Sequence, residues 1–226
     1  MQRIRAVAGF LAMDEDLECV VIVPVQGAPH GKSRLTVPGR AGLSRAFAAD
    51  TIDAVMRVPS AHLVVVTPDP VLTRYARAAG ALVVPDTGAG LNAAVAAGMA
   101  AGVPFGALPM AAMLGDLPAV TPEAVRSGLM QCAGHERAFV PDLAGTGTVL
   151  LWSRDGRLQP AFGPGSAAAH EALGYVRCER VPSHLRLDVD VRADLAVAIE
   201  LGCGRHTAAA LAAGALSHPV SHEGLG

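Results

Sequence analysis

A loop that could bind phosphate carries the only lysine of the chain. Lys32 stands alone among 18 Lys and Arg residues, and it is flanked by Gly31, Ser33 and Arg34. The loop follows an apolar run at 19–23, which is typical of a buried strand in a parallel sheet. Backbone amides of such a loop point at an anion, and basic side chains neutralise it. These four loop residues are therefore predicted to bind nucleotide phosphates, with Lys32 and Arg34 as catalytic cations.

Carboxylates follow two other apolar segments. Asp116 comes directly after the apolar run 110–115, while Asp188 and Asp190 lie two residues apart in an alternating segment at 185–190. Period-two spacing places the last two carboxylates on one face of an extended segment, where they repel each other unless a cation lies between them. Carboxylates beside bound phosphates are typical ligands of Mg²⁺. We predict that Asp116, Asp188 and Asp190 hold Mg²⁺, and that Asp116 is also a catalytic residue together with Lys32 and Arg34.

Two of these segments also permit a purely structural interpretation, in which an aspartate caps the helix that follows. For Asp116 that interpretation is weaker, because Thr121-Pro122 is a better helix start. In the later segment, Asp194 is the residue most expected to be structural.

Two glycine-rich segments could bind a small anion. The sequence Gly-Thr-Gly-Thr ending at Thr148 offers hydroxyls and accessible amides, and Gly-Pro-Gly-Ser at 163–166 opens a helix that carries His170. Free amides at a helix N-terminus suit a phosphate or a carboxylate. Both segments are therefore suited to a small phosphate or carboxylate ligand, although each segment alone could be an ordinary turn. His170 lies on the helical face of Ser166 and is equally compatible with the core and with the ligand.

A further glycine loop precedes a predicted helix at 91–101. Gly90 and Asn92 stand at its start, where loop amides and an asparagine side chain supply the donors and acceptors that read the edge of a nucleobase. We predict that both residues bind the nucleotide, and an asparagine that merely caps the helix is the alternative.

The elements that must position these residues alternate along the chain. The predicted strands are 19–25, 62–67, 81–84, 110–115, 137–141, 147–152 and 185–189. The predicted helices are 40–57, 70–79, 91–101, 121–132, 166–173, 191–201 and 205–214. Such alternation predicts a single-domain doubly wound α/β fold, in which ligands bind beyond the carboxyl ends of the strands. We place the domain at 19–216, with an N-terminal extension at 1–18 and a polar tail at 217–226.

Composition excludes several classes of function. A net charge of −2 and 4% aromatic residues over 226 residues argue against nucleic-acid binding. The uncharged stretch 87–115 is rich in Ala and Gly and is interrupted by Pro104 and Pro109, so a helix, a loop and a strand are expected there instead of a membrane span. Four scattered cysteines and the absence of a signal-peptide pattern predict a cytoplasmic protein.

The ordered set of segments from about 19 to 203 resembles the CofC or FbiD family, the guanylyltransferases of coenzyme F-420 biosynthesis. The pieces that carry the resemblance are Lys32-Ser33-Arg34-Leu35, Gly90-Leu91-Asn92, Gly115-Asp116-Leu117-Pro118, Gly145-Thr146-Gly147-Thr148, Phe162-Gly163-Pro164-Gly165-Ser166 and Asp188-Val189-Asp190. This chain departs from the family pattern at two places. Val25-Gln26 stands where the family often has a lysine, and Val191-Arg192 stands where a Thr-Pro pair is common.

The resemblance implies a Rossmann-like, GT-A-like nucleotidyltransferase with a mostly parallel mixed sheet flanked by helices. It implies that GTP reacts with phosphoenolpyruvate, 2-phospho-L-lactate or 3-phosphoglycerate and that pyrophosphate is released. A single lysine with abundant Ala, Arg and Gly is typical of a GC-rich genome, as in actinobacteria, and this favours phosphoenolpyruvate as the acid. By position, Asp116, Asp188 and Asp190 would hold Mg²⁺; Thr148, Gly163 and Ser166 would hold the acid; and Lys32, Arg34 and Asn92 would contact GTP.

Three other functions fit the sequence less well. A P-loop NTPase needs a glycine five residues before Gly31, and Gln26 stands there. A nucleotidyltransferase for a molybdopterin or a sugar phosphate shares the sheet but has no need of the two anion-binding segments. A catalytically silent nucleotide-binding regulator has no need of three carboxylates.

Overall fold

A seven-stranded mixed sheet organises the part of the chain that the structure, a computed structural model, describes: residues 17–25 and 39–216. Its strands are β1 (Cys19–Pro24), β2 (Ala61–Val66), β3 (Leu82–Val84), β4 (Met110–Met113), β5 (Arg137–Pro141), β6 (Thr148–Ser153) and β7 (Val176–Arg177). They lie in the order β3-β2-β1-β4-β6-β5-β7. Only β6 runs antiparallel to its neighbours among these strands, so the sheet is mostly parallel.

Helices connect the strands, as a doubly wound fold requires. They are α1 (Arg40–Met56), α2 (Pro70–Ala78), α3 (Leu91–Gly102), α4 (Pro122–Ala133), α5 (Ser166–Ala172), α6 (Ser183–Arg186), α7 (Arg192–Leu201) and α8 (Arg205–Leu216), with a 3₁₀ turn at Val103–Phe105. None of the helices in residues 17–25 and 39–216 is both long and apolar enough to cross a membrane.

The central strand β1 is buried on both faces, which explains its continuous apolar sequence. Val21 belongs to the same apolar cluster as Ile52 of α1, whereas its neighbour Ile22 belongs to a second cluster with Val95 of α3. Helices α1, α2 and α4 therefore cover one face of the sheet, and α3 and α5 cover the other. On α3, a Cβ at Gly98 would lie 2.3 Å from Ile22 Cγ2, so only glycine allows this close helix–sheet approach.

Side-chain caps set the start of two connecting helices. The Thr121 hydroxyl accepts a hydrogen bond from the Ala124 amide at 3.2 Å, and Pro122 occupies the first position of α4. This confirms the predicted Thr-Pro helix start. The Asp69 carboxylate caps α2 in the same way through the Val71 amide at 2.7 Å.

Six of the seven predicted strands and all seven predicted helices are present, each with ends within two residues of the prediction. The predicted strand at 185–189 is wrong: one helical turn, α6, is followed by an extended segment that belongs to no sheet. Leu185 instead packs against Gly128 of α4, where an added Cβ would come within 2.3 Å of Leu185 Cδ2. The sheet edge beside β5 is taken by β7, a two-residue strand that the sequence pattern did not predict.

Candidate active site

The predicted site residues that the structure describes gather at one edge of the sheet. This is the edge at which β1, β2, β4 and β5 end. Because β6 is antiparallel, its first residue lies at the same edge: Leu150 pairs with Met113, and Thr148 pairs with Pro141. Asp116, three residues beyond β4, and Thr148 therefore meet at the carboxyl edge, where ligands of doubly wound sheets bind.

Asp116 is brought to this edge by a close approach between two chain segments. A Cβ at Gly115 would lie 2.8 Å from Val25 Cγ2 and 3.0 Å from the Pro24 carbonyl oxygen. Glycine at this position lets the end of β4 pass directly beside the chain that leaves β1. The following turn is held by the Leu117 amide, which donates to Thr51 Oγ1 at 3.3 Å.

The extended segment after α6 brings a second carboxylate beside Asp116. The Val189 amide donates to the Asp116 carbonyl oxygen at 3.3 Å, which ties the two segments together. Burial, together with the negative charges of Asp116 and Asp190, raises the pKa of Asp188 to about 7. A buried carboxylate that is repelled by two others is the electrostatic setting that a bound cation relieves.

These carboxylates fit Mg²⁺ as a partial ligand set. Among residues 17–25 and 39–216, no three His, Cys, Asp or Glu side chains are arranged to hold a metal ion by themselves. Mg²⁺ commonly takes only one or two protein carboxylates and completes its shell with water and substrate phosphate. Metal binding by Asp116, Asp188 and Asp190 stays a prediction, and the crowding of negative charge around Asp188 supports it.

Asp194 has the structural role expected for it. Its Oδ2 accepts hydrogen bonds from the amides of Asp190 and Val191, at 2.9 and 2.8 Å, and so caps the start of α7. The carboxylate thereby fixes the backbone of Asp190 at the entrance of the helix.

A fourth carboxylate, which sequence reasoning passed over, completes this acidic edge. Asp142 follows β5, and its charge also raises the pKa of Asp188. Its two oxygens accept the amides of Thr146 and Gly147, both at 2.9 Å, and a Cβ at Gly147 would lie 2.4 Å from Oδ2. The signal was present in the sequence, because an aspartate shortly before Gly-Thr-Gly is typical of a turn closed by its side chain.

The three predicted acid-binding residues lie together on the other side of the edge. Thr148 begins β6, and Ser166 begins α5; each is only 3% exposed. The Ala167 amide donates to the Thr146 carbonyl oxygen at 3.1 Å, which holds the helix start against the turn before β6. Gly163 has a φ of +143°, and Gly165, the N-cap of α5, has a φ of +73°. Glycines at both positions let the loop turn tightly into the helix.

His170 is buried behind this pair of hydroxyls. Its Nδ1 lies 2.9 Å from Thr148 Oγ1, and its Nε2 accepts a hydrogen bond from the Ala161 amide at 3.0 Å. Phe162 and Tyr175 present T-shaped ring contacts at centroid distances of 5.4 and 5.6 Å. The histidine is therefore a core residue that contacts a predicted substrate-binding residue.

Asn92 connects the glycine loop before α3 to the 161–165 loop. Its Nδ2 donates to the Phe162 carbonyl oxygen at 3.1 Å, and its Oδ1 accepts the Phe162 amide at 2.8 Å. The N-cap of α3 is Gly90, with a φ of +96°, so the alternative of an asparagine cap is wrong. Contact of Asn92 and Gly90 with the nucleotide stays a prediction. Gly31, Lys32, Ser33 and Arg34, together with Gln26, lie outside the described residues.

The fold and the acidic edge together define a nucleotidyltransferase. The family model of the MobA-like NTP transferase domain matches residues 32–177. Solved structures of the same fold include 4-diphosphocytidyl-2C-methyl-D-erythritol synthase, with a TM-score of 0.57 and 14% identity over 82% of this chain and 99% of that one. A cytidylyltransferase from Leptospira borgpetersenii matches with a TM-score of 0.53 and 11% identity over 89% of this chain and 95% of that one.

Relatives with higher sequence identity identify the family within the nucleotidyltransferases. The phosphoenolpyruvate guanylyltransferase of Streptomyces coelicolor is 43% identical over 208 residues, which cover 87% of this chain and 97% of the relative. That of Nocardia farcinica is 43% identical over 202 residues, covering 84% and 89%. The chain belongs to the phosphoenolpyruvate guanylyltransferase family.

Proposed function

We propose that the protein transfers GMP from GTP to the phosphate of phosphoenolpyruvate, releases pyrophosphate, and acts in the biosynthesis of coenzyme F-420. The observation that carries the proposal is the meeting of the Asp116–Asp188 pair with the Thr148–Ser166 pair at one edge of the sheet. The names of the relatives support the choice of nucleotide and acid. Four free thiols, three of them buried, accord with a reducing compartment such as the cytoplasm.

The proposed reaction needs little acid–base chemistry from the protein. A phosphate oxygen of the acid is already anionic near neutral pH, and it attacks the α-phosphorus of GTP. The new oxygen–phosphorus bond forms as the bond from the α-phosphorus to the bridging oxygen of the β-phosphate breaks, and pyrophosphate leaves with that electron pair. Positioning and neutralisation of charge are then the main tasks. Positioning can contribute roughly 7–11 kcal/mol in well-oriented systems.

Each group of residues has one task in this scheme. Lys32 and Arg34 neutralise the phosphates of GTP, and Asn92 with Gly90 contributes to the nucleotide pocket. The carboxylates of Asp116, Asp188 and Asp190 hold Mg²⁺, which supplies electrostatic stabilisation of the charge on the transferred phosphoryl group. Because Gln26 replaces a frequent family lysine, Lys32 and Arg34 carry a larger share of that neutralisation.

The acid is held by the opposite wall of the site. Thr148 and Ser166 supply hydroxyl donors. Among the described residues, no atom lies within 4 Å of the position that a Cβ of Gly163 would occupy, so the backbone there is open to the ligand. Donors on two elements can hold the carboxylate and the phosphate of a three-carbon acid at the same time.

The proposal is tested by measuring pyrophosphate release from GTP and Mg²⁺ with phosphoenolpyruvate, 2-phospho-L-lactate or 3-phosphoglycerate added singly. We expect release with phosphoenolpyruvate and none in the control without acid. Release with another of the three acids would keep the guanylyltransferase and change its substrate. Absence of release with all three acids, despite GTP binding, would refute the proposed function.

A further inference from the structure

The hydroxyl of Thr148 is hydrogen-bonded to His170, and the direction of that bond follows from the other side of the imidazole ring. The Ala161 amide can only donate, so His170 Nε2, 3.0 Å away, must be an unprotonated acceptor. A neutral imidazole then carries its proton on Nδ1. The Nδ1–H group therefore donates to Thr148 Oγ1 at 2.9 Å, and the hydroxyl oxygen accepts.

This polarity decides what Thr148 can offer a ligand. A threonine hydroxyl has one hydrogen and two acceptor lone pairs. Because a lone pair is used by His170, the hydrogen remains for another acceptor. A carboxylate or a phosphate is an acceptor only, so a hydroxyl whose hydrogen is available is matched to an anionic substrate.

We propose that His170 is a positioning residue, which fixes the Thr148 hydroxyl as a donor toward the acid and holds the loop that carries Gly163. The inference rests on the proposed function, in which Thr148 contacts the acid. It assigns to a buried histidine the task of setting the hydrogen-bond polarity of the acid pocket.

The surroundings of His170 keep it in the required neutral state. The side chain is fully buried among the rings of Phe139, Phe162 and Tyr175. Burial lowers the pKa of His170 to about 4, against a smaller opposing effect of a hydrogen bond that the ring donates to the Ser166 backbone. Two cations also face this cluster: Arg137 lies 5.8 Å from the centre of the Tyr175 ring, and Arg177 lies 5.4 Å from that of Phe139. Both arginines disfavour a positive charge on the His170 ring inside this aromatic cluster.

His170 is also linked to each of the three segments that carry the predicted acid contacts. It bonds to Thr148 on β6 and to Ala161 at the start of the 161–165 loop, and it stands on α5, which begins at Ser166. A single ring therefore ties together the strand, the loop and the helix that form the acid-binding wall.

Two substitutions separate the two hydrogen bonds of the ring. The amide of His170→Asn can replace the Nδ1 donor to Thr148, whereas the longer amide of His170→Gln can replace the Nε2 acceptor for Ala161. We expect His170→Gln to raise the KM for the acid roughly fivefold to tenfold, while the KM for GTP stays within about twofold. His170→Asn should retain most of the affinity for the acid, even if its thermal stability falls.

A double-mutant cycle with Thr148 tests whether His170 acts through that hydroxyl. In a Thr148→Val background, which has no hydroxyl to orient, His170→Gln should raise the KM for the acid no further; Thr148→Ser, which keeps the hydroxyl, should restore the effect of His170→Gln. Independent, additive effects of the two substitutions would overturn the proposal. So would an equal rise in the KM values for GTP and for the acid in His170→Gln, because a merely structural defect affects both.

A spectroscopic test does not depend on activity. In ¹⁵N-histidine spectra of the wild-type protein, with the His170 signals assigned by their loss in His170→Gln, we expect a protonated Nδ1 and an unprotonated Nε2 near neutral pH. The opposite tautomer, or a doubly protonated ring, would overturn the proposal even if the enzyme is active. If no acid supports pyrophosphate release but the tautomer is as expected, the proposed function fails while the assigned bond direction holds.

Discussion

Asp188 is the residue at which function and stability oppose each other. Its carboxylate is half-buried beside Asp116 and Asp190, and the folded protein therefore favours the neutral form. Such a group costs stability in the absence of a cation and persists where the charge is needed for chemistry.

The isosteric substitution Asp188→Asn should raise stability and abolish turnover together. Removing the negative charge relieves the repulsion, so we expect a gain of roughly 0.5–2 kcal/mol in the free energy of unfolding without metal. We expect no measurable pyrophosphate release. Urea denaturation and the pyrophosphate assay measure the two effects.

Asp155→Asn is the matched control, because Asp155 follows β6 at the opposite edge of the sheet. The Ser153 hydroxyl holds the pKa of Asp155 below its ordinary value, so the charged form is favoured there and its loss should bring no stabilisation. An Asp188→Asn variant that is both less stable and fully active would contradict the assignment of Asp188 to the active site.

His170 should make stability depend on pH below neutrality. Burial lowers its pKa from an ordinary 6.5 to about 4, so between these values the unfolded chain binds more protons than the folded one. Stability from this group is full above pH 6.5 and is lost as the pH falls toward 4, by roughly 3 kcal/mol in total. Urea unfolding from pH 7 to 4.5 should show a smaller loss for His170→Gln than for wild type. Identical pH dependence in both proteins would contradict a buried neutral histidine.

At the scale of elements, sequence periodicity predicted nearly every helix and strand; it missed the two-residue β7 and was wrong at 185–190. Residues 185–190 alternate apolar and polar side chains as a strand does, and Leu185, Leu187 and Val189 are indeed buried. The periodicity cannot show what they are buried against. Leu185 packs against α4, whereas Leu187 and Val189 belong to an apolar cluster with residues of α1 and α7. The Arg186 guanidinium donates to the carbonyl oxygens of Pro141 and Asp142 at 3.0 and 2.8 Å. The segment therefore lies across the sheet edge, outside the sheet.

The contact between Gly128 and Leu185 should determine where that segment lies. Gly128→Ala places a Cβ into Leu185, and overpacking of this kind costs about 1–3 kcal/mol. We expect reduced thermal stability and, because Asp188 follows within three residues, a lower kcat. Gly42→Ala on α1 is the control: outside the helix's own backbone, no atom of residues 17–25 and 39–216 lies within 4 Å of the added Cβ, so this substitution should stabilise by roughly 0.5–1 kcal/mol. Equal changes in stability for both substitutions would show that helix propensity alone, and not the contact with Leu185, determines the effect.

The hydrogen bonds between Asn92 and Phe162 should couple the two substrate loops. In Asn92→Asp, one carboxylate oxygen can still accept the Phe162 amide, but the other faces the Phe162 carbonyl oxygen and repels it. We expect the KM for the acid to rise roughly threefold to tenfold together with that for GTP. Steady-state kinetics with each substrate varied in turn measures both values. A rise in the KM for GTP alone would mean that Asn92 contacts the nucleotide without shaping the acid loop.

For the molecule as a whole, the predictable part of the site was its location, and the unpredictable part was the network that supports it. A doubly wound order places the ends of the parallel strands at one edge, so Asp116 could be assigned to that edge from its position after a predicted strand. Asp188 and Thr148 could be grouped with it only through the family resemblance, because 185–189 forms no strand and Thr148 begins the antiparallel β6. The bonds of His170 and Asn92 could not be predicted, because helical spacing gives the face of a side chain and not its partner across 22 or 70 residues.

The two halves of the sheet should therefore divide recognition between the two substrates. The predicted acid-binding wall belongs to β6, the 161–165 loop and α5, whereas the predicted phosphate loop leaves β1. Ser166→Ala should raise the KM for the acid roughly threefold to tenfold and that for GTP far less, since one neutral hydrogen bond is lost. Lys32→Ala should do the reverse and by more, roughly tenfold to a hundredfold, because a charged donor is removed. Pyrophosphate release, with each substrate varied in turn, measures both KM values for each variant. The opposite pattern, or equal changes in both constants for both variants, would show that the site is not divided in this way.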